Sequence, residues 1–385
     1  MGGLLTVVSG YFPGGQAIDR MSDSPDLTYR LLGARFLRRQ AKQLAEQLGG
    51  VCKADDSEFI HRARVASRRL RAALRMFRGC WRRKKMKRWV RQIRDIAQGL
   101  GSARDRDVEI EFLCGILSDM TDKACSPGIA RLLVQVERQR ESLQSGVFRA
   151  VDRLERSKTL ERIQRSAKRV LASAPSSETI DYDDSTRRQT KQFIVDHLAE
   201  LRLEQDSLDD PQDSRRHHAM RIAAKRLRYT LEIARPVYAG QLDDAIEATR
   251  KLQSLLGDVH DCDVWLQHLD AFSREECGRI QACFGSTARC ARLEPGINYL
   301  RQERTGRRRQ VFRELVEYWH KLEQRGVWDR LVQVVESDGR LPAAAASAPG
   351  SAAGNGNPSA PANGSAARLK SNGALTALDP VTLSH

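Results

Sequence analysis

The chain has 385 residues, of which 41% are hydrophobic, 30% charged and only 6% aromatic, and its formal net charge is +16. That length suggests two or three compact units, and a basic field of this size attracts nucleic acid, an anionic membrane or another polyanion. No stretch approaches the ~18 continuous apolar residues of a membrane span. Eight cysteines, at 52, 80, 114, 125, 262, 277, 283 and 290, include no CxxC pair and no Cys/His set at zinc-ligand spacing. Reduced, mostly buried thiols in a cytoplasmic protein are therefore expected.

Residues 1–25 hold several Gly, Ser and Pro without helical periodicity and read as a flexible leader. They lack the basic start and apolar core of a secretion signal. Met1-Gly2 with Thr6 matches a short and common acylation pattern. Long Leu/Ala/Arg/Glu/Gln runs over 26–171 predict a first helical unit, because unbranched side chains lose little rotamer freedom in a helix. A polar break over 172–186 predicts a linker. Helical patterning resumes over 187–336 as a second unit, and the Ala/Gly/Ser/Pro-rich tail, 337–385, is expected to be disordered. From Pro342 onward the tail carries only Arg368, Lys370 and Asp379, so the cationic excess belongs to the folded part.

The two units look like copies of each other. Residues 61–71 read HRARVASRRLR and residues 218–228 read HAMRIAAKRLR, an offset of 157. Residues 100–108 read LGSARDRDV and 256–264 read LGDVHDCDV, an offset of 156. Two motifs at nearly one offset predict one helical unit used twice.

On a helix over residues 61–82, His61, Arg64, Arg68, Arg71, Arg75, Arg78 and Arg82 fall in one arc, and Ala66, Leu70, Ala73, Leu74, Phe77 and Trp81 fall opposite. The pattern predicts a helix with its apolar face in a core and a continuous cationic face pointing away from it. From Arg62 to Arg94 there are 15 Lys/Arg and no acid. Like charges at i,i+4 destabilise a helix by ~0.2–0.5 kcal/mol per pair, so a row without acids points to a ligand that neutralises it. In the second copy His218, Arg221, Lys225, Arg228 and Arg235 share the arc, but Glu232 stands where Arg75 does and Pro236 ends or kinks the helix. The second copy is expected to bind less strongly or to use a shorter stripe. His61 and His218 either bond within the fold or sit beside a bound anion that would favour imidazolium. Asp105/Asp107 and Asp261/Asp263 either cap helices and hold stripe arginines in place, or bind metal. The first role is favoured, since carboxylates repel a polyanion unless a metal bridges them.

At these residues the chain resembles the CHAD family, the conserved histidine α-helical domain. The two H-x-x-R-[VI]-A-x-[RK]-R-L-R segments and the two L-G-x-x-x-D-x-D-V segments carry the resemblance, which covers roughly residues 27–335. It implies an all-α fold of two pseudo-symmetric antiparallel helical bundles, about four helices each, sharing a basic groove or pore. It also implies binding of inorganic polyphosphate and association with polyphosphate granules. By resemblance the anion contacts fall on His61, Arg64, Arg68, Arg69, Arg71, Arg75, His218, Arg221, Lys225, Arg226 and Arg228, with Arg78 added from the helical arc.

Binding without catalysis is thus expected, with no cofactor. Two other readings stay open. A nucleic-acid binder explains the charge equally well, but the first cationic arc lacks the aromatic platforms that single-strand binders need. A metal-dependent phosphohydrolase would use His260-Asp261, yet the first copy has Arg104-Asp105 there, and no P-loop or HExxH is present.

Overall fold

The computed structural model describes residues 26–53, 56–174 and 180–337, so the leader and nearly all of the tail lie outside the described residues. Ten α-helices and three short 3-10 turns make up the described secondary structure, with no strand. The first half contains α1 (Leu27–Lys53), α2 (Ser57–Met76), α3 (Arg83–Asp119), α4 (Ser126–Arg156) and α5 (Thr159–Leu171). The second contains α6 (Asp184–Arg202), α7 (Ser214–Ala234), α8 (Asp243–Phe284), α9 (Glu294–Gln324) and α10 (Val327–Glu336). Each half therefore has five α-helices rather than four, because a short last helix, α5 or α10, closes it. The helix of the second half starts inside the segment read as a linker, where the Asp183 carboxylate accepts from the Thr186 amide and caps α6.

Apolar spacing explains the packing. In α2, Ile60, Ala63, Ala66, Leu70, Ala73 and Leu74 are buried on one side. In α7, Met220, Ala223, Ala224, Leu227 and Leu231 are buried in the same way. These residues join one continuous core that runs through both halves, rather than one core per bundle. A second cluster forms where α3, α4, α8 and α9 meet, around Leu113, Leu132, Trp265, Phe272 and Leu300.

The halves meet through reciprocal contacts. Thr28 at the start of α1 shares a 2.6 Å hydrogen bond with Thr186 near the start of α6. The α4 and α9 N-termini, Ser-Pro-Gly-Ile and Glu-Pro-Gly-Ile, press backbone against backbone. A Cβ on Gly128 would lie 2.2 Å from the Leu293 carbonyl oxygen, and one on Gly296 would lie 2.1 Å from that of Cys125. Only glycine permits this approach, and each proline sits at the start of its helix, where its missing N–H costs nothing.

Gly128→Ala or Gly296→Ala should therefore destabilise the protein by about 2 kcal/mol or more, since backbone must move. Gly115, mid-helix with nothing near its missing Cβ, should gain about 0.5–1 kcal/mol as alanine. Urea unfolding of the three variants checks the contrast, and equal midpoints would contradict the close contact.

Candidate functional site

The predicted stripe folds differently at its end. Helix α2 stops at Met76, not near Trp81. The Tyr29 hydroxyl donates to the Met76 carbonyl at 2.9 Å, and the Phe77 ring fills the space beside Gly33. An end carbonyl is thus satisfied from α1 while Phe77 turns into the core. Arg78 and Arg82 consequently leave the row and sit exposed in or beside the turn. In the second half α7 ends at Ala234 and Pro236 lies in a 3-10 turn, as its missing N–H dictates.

The row is also not a free cationic face. Arg64 is 5% exposed and Arg221 4%, which corrects the expectation that both point off the core. Arg64 Nη1 donates to Asp105 Oδ1 at 2.6 Å, with Asp105 7% exposed. Asp261, at the equivalent place on α8, is 6% exposed and faces Arg221. Burial pushes its carboxyl well above the usual range, while Arg221 and the more distant Arg64 oppose the shift, and Asp258 and Asp105 add to it. Two arginines and two aspartates from α2, α3, α7 and α8 therefore share one buried centre.

The second aspartate of each motif has the same task in another direction. Arg140 Nε on α4 donates to Asp107 Oδ1 at 2.5 Å, and Arg308 Nε on α9 donates to Asp263 Oδ1 at 2.5 Å. Each Asp-x-Asp segment thus ties its long helix to two neighbours, α2 or α7 through the first carboxylate and α4 or α9 through the second. The sequence reading foresaw stripe arginines held by aspartate but missed Arg140 and Arg308. A signal existed: they stand 168 residues apart, as do the two Pro-Gly-Ile segments.

Around this centre the remaining predicted residues fall into two groups. His61 is half-buried beside Arg64, Arg68 and Arg104. Burial lowers its pKa, those three cations lower it further, and Glu58 opposes them. Its counterpart His218 meets His260 with Nδ1 atoms 3.2 Å apart, so that one ring donates to the other. Toward the helix C-termini, α2 and α7 pack together. Arg69 Nε donates to Glu232 Oε2 at 3.0 Å across this contact, and Arg228 lies 3.6 Å from the same carboxylate. Glu232, which breaks the stripe, is thus a bridge between halves.

On the other side of the contact Arg75 faces Arg226 and Arg71. Arg226 pairs with Glu200 of α6 at 2.8 Å. Arg71 and Arg75 make no ion pair among the described residues. Burial, Arg226 and Arg71 all lower the Arg75 pKa, and Glu200 opposes them. Lys225 is half-buried on α7. A cavity of about 850 Å³ opens beside the junction, between Arg35 and Arg39 of α1, Glu232 of α7 and Arg250 of α8. Of the twelve predicted residues only Arg69 lines it. Among the described residues, no group of three or more His, Cys, Asp or Glu could hold a metal ion, and no helix is long and apolar enough to cross a membrane.

Described residues that are all helical, with two halves placing paired His-x-x-Arg helices around a shared Arg–Asp centre, define a class of basic helical domains. The chain belongs to the CHAD domain family, whose profile matches residues 35–270. The helical structure continues past that match to Glu336. Among solved structures, the CHAD domain from the plant Ricinus communis is 20% identical, covers 81% of this chain and 97% of its own, and superposes with a TM-score of 0.53. PptA from Streptomyces chartreusis is 17% identical, with 76% and 99% covered and a TM-score of 0.45. No curated protein matches the chain.

Arg64→Ala should cost about 3–5 kcal/mol, because it leaves Asp105 buried without its guanidinium. Arg71→Ala should stay within about 0.5 kcal/mol. Denaturant midpoints decide, and a mild Arg64 variant would contradict a structural role for the pair.

Proposed function

We propose that the chain is a non-catalytic binding protein for inorganic polyphosphate, held in the cytoplasm and associated with polyphosphate granules. The observation that carries this reading is the clustering of like charge across the α2–α7 contact. Arg75 faces Arg71 on its own helix and Arg226 of the other half; Arg226 pairs with Glu200, while Arg71 and Arg75 have no acid bonded to them among the described residues. Glu200 offsets only part of this charge, and an anion bound there would offset the rest. Guanidinium groups bind phosphate oxygens bidentately, and a flexible chain can follow them without a shaped pocket. Family membership supports the reading.

Arg64 and Arg221 then act as positioning residues, buried with Asp105 and Asp261. The ligand runs past His61, Arg68, Arg71 and Arg75 on α2, and past His218, Lys225, Arg226 and Arg228 on α7. Absence of catalysis is supported by the state of the carboxylates: Asp105, Asp107 and Asp263 each accept from an arginine, and Asp261 faces one. Nucleic acid is the weaker reading. The exposed aromatic rings among the described residues, Phe148, Phe284 and Tyr299, lie on α4, α8 and α9, not on the basic helices.

Arg71→Glu with Arg75→Glu should weaken long-chain polyphosphate binding by about tenfold or more and flatten the salt dependence of affinity, while helicity stays intact. Titration calorimetry at several salt concentrations reads both. Unchanged affinity, or displacement of polyphosphate by duplex DNA or RNA at equal phosphate concentration, would overturn the proposal.

A phosphate placed beside His61 should raise its lowered pKa, so binding takes up a proton and tightens as pH falls across the interval between the bound and the free His61 pKa. Calorimetry in two buffers of different ionisation enthalpy measures that uptake. His61→Gln should reduce it, and identical uptake in the variant would place the protonated group elsewhere.

A further inference from the structure

Helices α3 and α8 share a fold but carry opposite charge at their exposed beginnings. The 156-residue offset that aligns the two Leu-Gly motifs also aligns their buried positions: Ile93 with Thr249, Ile96 with Leu252, Leu100 with Leu256 and Ala103 with Val259. In that register Lys87, Arg88 and Arg91 stand where Asp243, Asp244 and Glu247 stand. All six side chains are exposed.

The acidic version suits a helix start, where carboxylates complement the dipole. It is also neutralised. Asp243 is held bidentately by Arg235 at 2.6 Å, Asp244 by Arg325 and Arg330 at 2.9 Å each, and Glu247 by Arg250. The basic version extends a first turn, Arg83, Lys84 and Lys85, that already opposes the dipole, and Arg82 at the N-cap supplies no capping side chain. Lys87, Arg88 and Arg91 make no ion pair among the described residues. Neighbouring Lys85 meets further cations, Arg82 and Arg169 of α5, rather than acids. The fold therefore does not require these cations, since its second half builds the same helix without them and at lower electrostatic cost.

We infer that the exposed face of α3 from Arg83 to Arg91, with Arg169 of α5, is a second polyanion-binding surface that takes the outgoing segment of a long polyphosphate chain. This rests on the function proposed above and adds chain-length selection to it. Seventeen residues of α3 separate Lys87 from Arg104 beside the centre, about 25 Å along the helix. A tripolyphosphate occupies one surface at a time, whereas a long chain spans both and gains from the second as an intramolecular contact. The half carrying Asp243 and Asp244 offers no such track, so the chain leaves the centre on one side only. The face is poorly suited to a membrane or to bases, because Val90 is its one large exposed apolar residue among those described and Trp89 is buried.

The test transplants the second half's own residues. Lys87→Asp, Arg88→Asp and Arg91→Glu are combined in the full chain, and affinity is measured for tripolyphosphate and for long-chain polyphosphate. Wild type should prefer the long chain, and the triple variant should lose about tenfold or more for it while binding tripolyphosphate within about twofold. Its melting temperature should hold or rise, because acids at 87 and 88 would stand one turn after Arg83 and Lys84 and replace like-charge repulsion by attraction. Should the variant misfold, the neutral set Lys87→Gln, Arg88→Gln and Arg91→Gln is read against the same ligands. Unchanged long-chain affinity, or equal loss for both ligands, overturns the second surface. Failure of wild type to bind either ligand overturns the proposed function itself, and with it this extension.

Discussion

Arg64 and Asp105 lie 2.6 Å apart with almost no solvent between them and the core. A buried ion pair of this kind contributes little net stability compared with apolar residues of the same volume, but losing either partner leaves an uncompensated charge. It is therefore a constraint on geometry more than a source of stability. Arg221 with Asp261 imposes the same constraint from the other half, and Asp107 with Arg140 and Asp263 with Arg308 extend it outward to α4 and α9. Four carboxylates fix the angle between each basic helix and its neighbours. The helices that carry the uncommitted arginines are thereby held at set positions, which would lower the entropy lost in the proposed binding.

The two halves share this framework but not its charge. On α7, Glu232 takes the place of a stripe arginine and draws Arg69 and Arg228 to itself. On α8 the first turn is acidic and neutralised. On α2 Arg64 and Arg69 are engaged by acids from other helices, but Arg71 and Arg75, like Lys87, Arg88 and Arg91 on α3, make no ion pair among the described residues. One helical unit used twice thus supplies a balanced half that helps hold the fold and an unbalanced half that keeps its positive charge available. On the proposed function, a polyanion would meet the denser positive charge on one side only.

Much of this was legible in the sequence, and the reasons for the remainder are specific. Period-3.6 patterning exposed the helices and the 157-residue offset exposed the duplication, because burial imposes regular spacing. The direction of the Arg64 side chain was not legible. Helical projection assigns it to the polar arc, yet α3 packs against that arc and brings Asp105 to it, which only tertiary structure reveals. Arg78 falls outside the row because α2 stops at Met76, whose carbonyl is bonded by Tyr29 of α1, and Gly79 stands in the turn that follows. The 168-residue offset joining Arg140 to Arg308, and one Pro-Gly-Ile to the other, was hidden because α8 runs to Phe284, well past the point matching the end of α3 at Asp119, and the connection after it is also longer, which breaks the register found upstream.

The most direct test of the account is a structure of the full chain with long-chain polyphosphate bound. The account predicts phosphates against Arg68, Arg71 and Arg75, with Arg226 approaching from the other half and the Arg64–Asp105 bond unbroken. Phosphates that displace Asp105 from Arg64, or that bind only away from the α2–α7 contact, would contradict it.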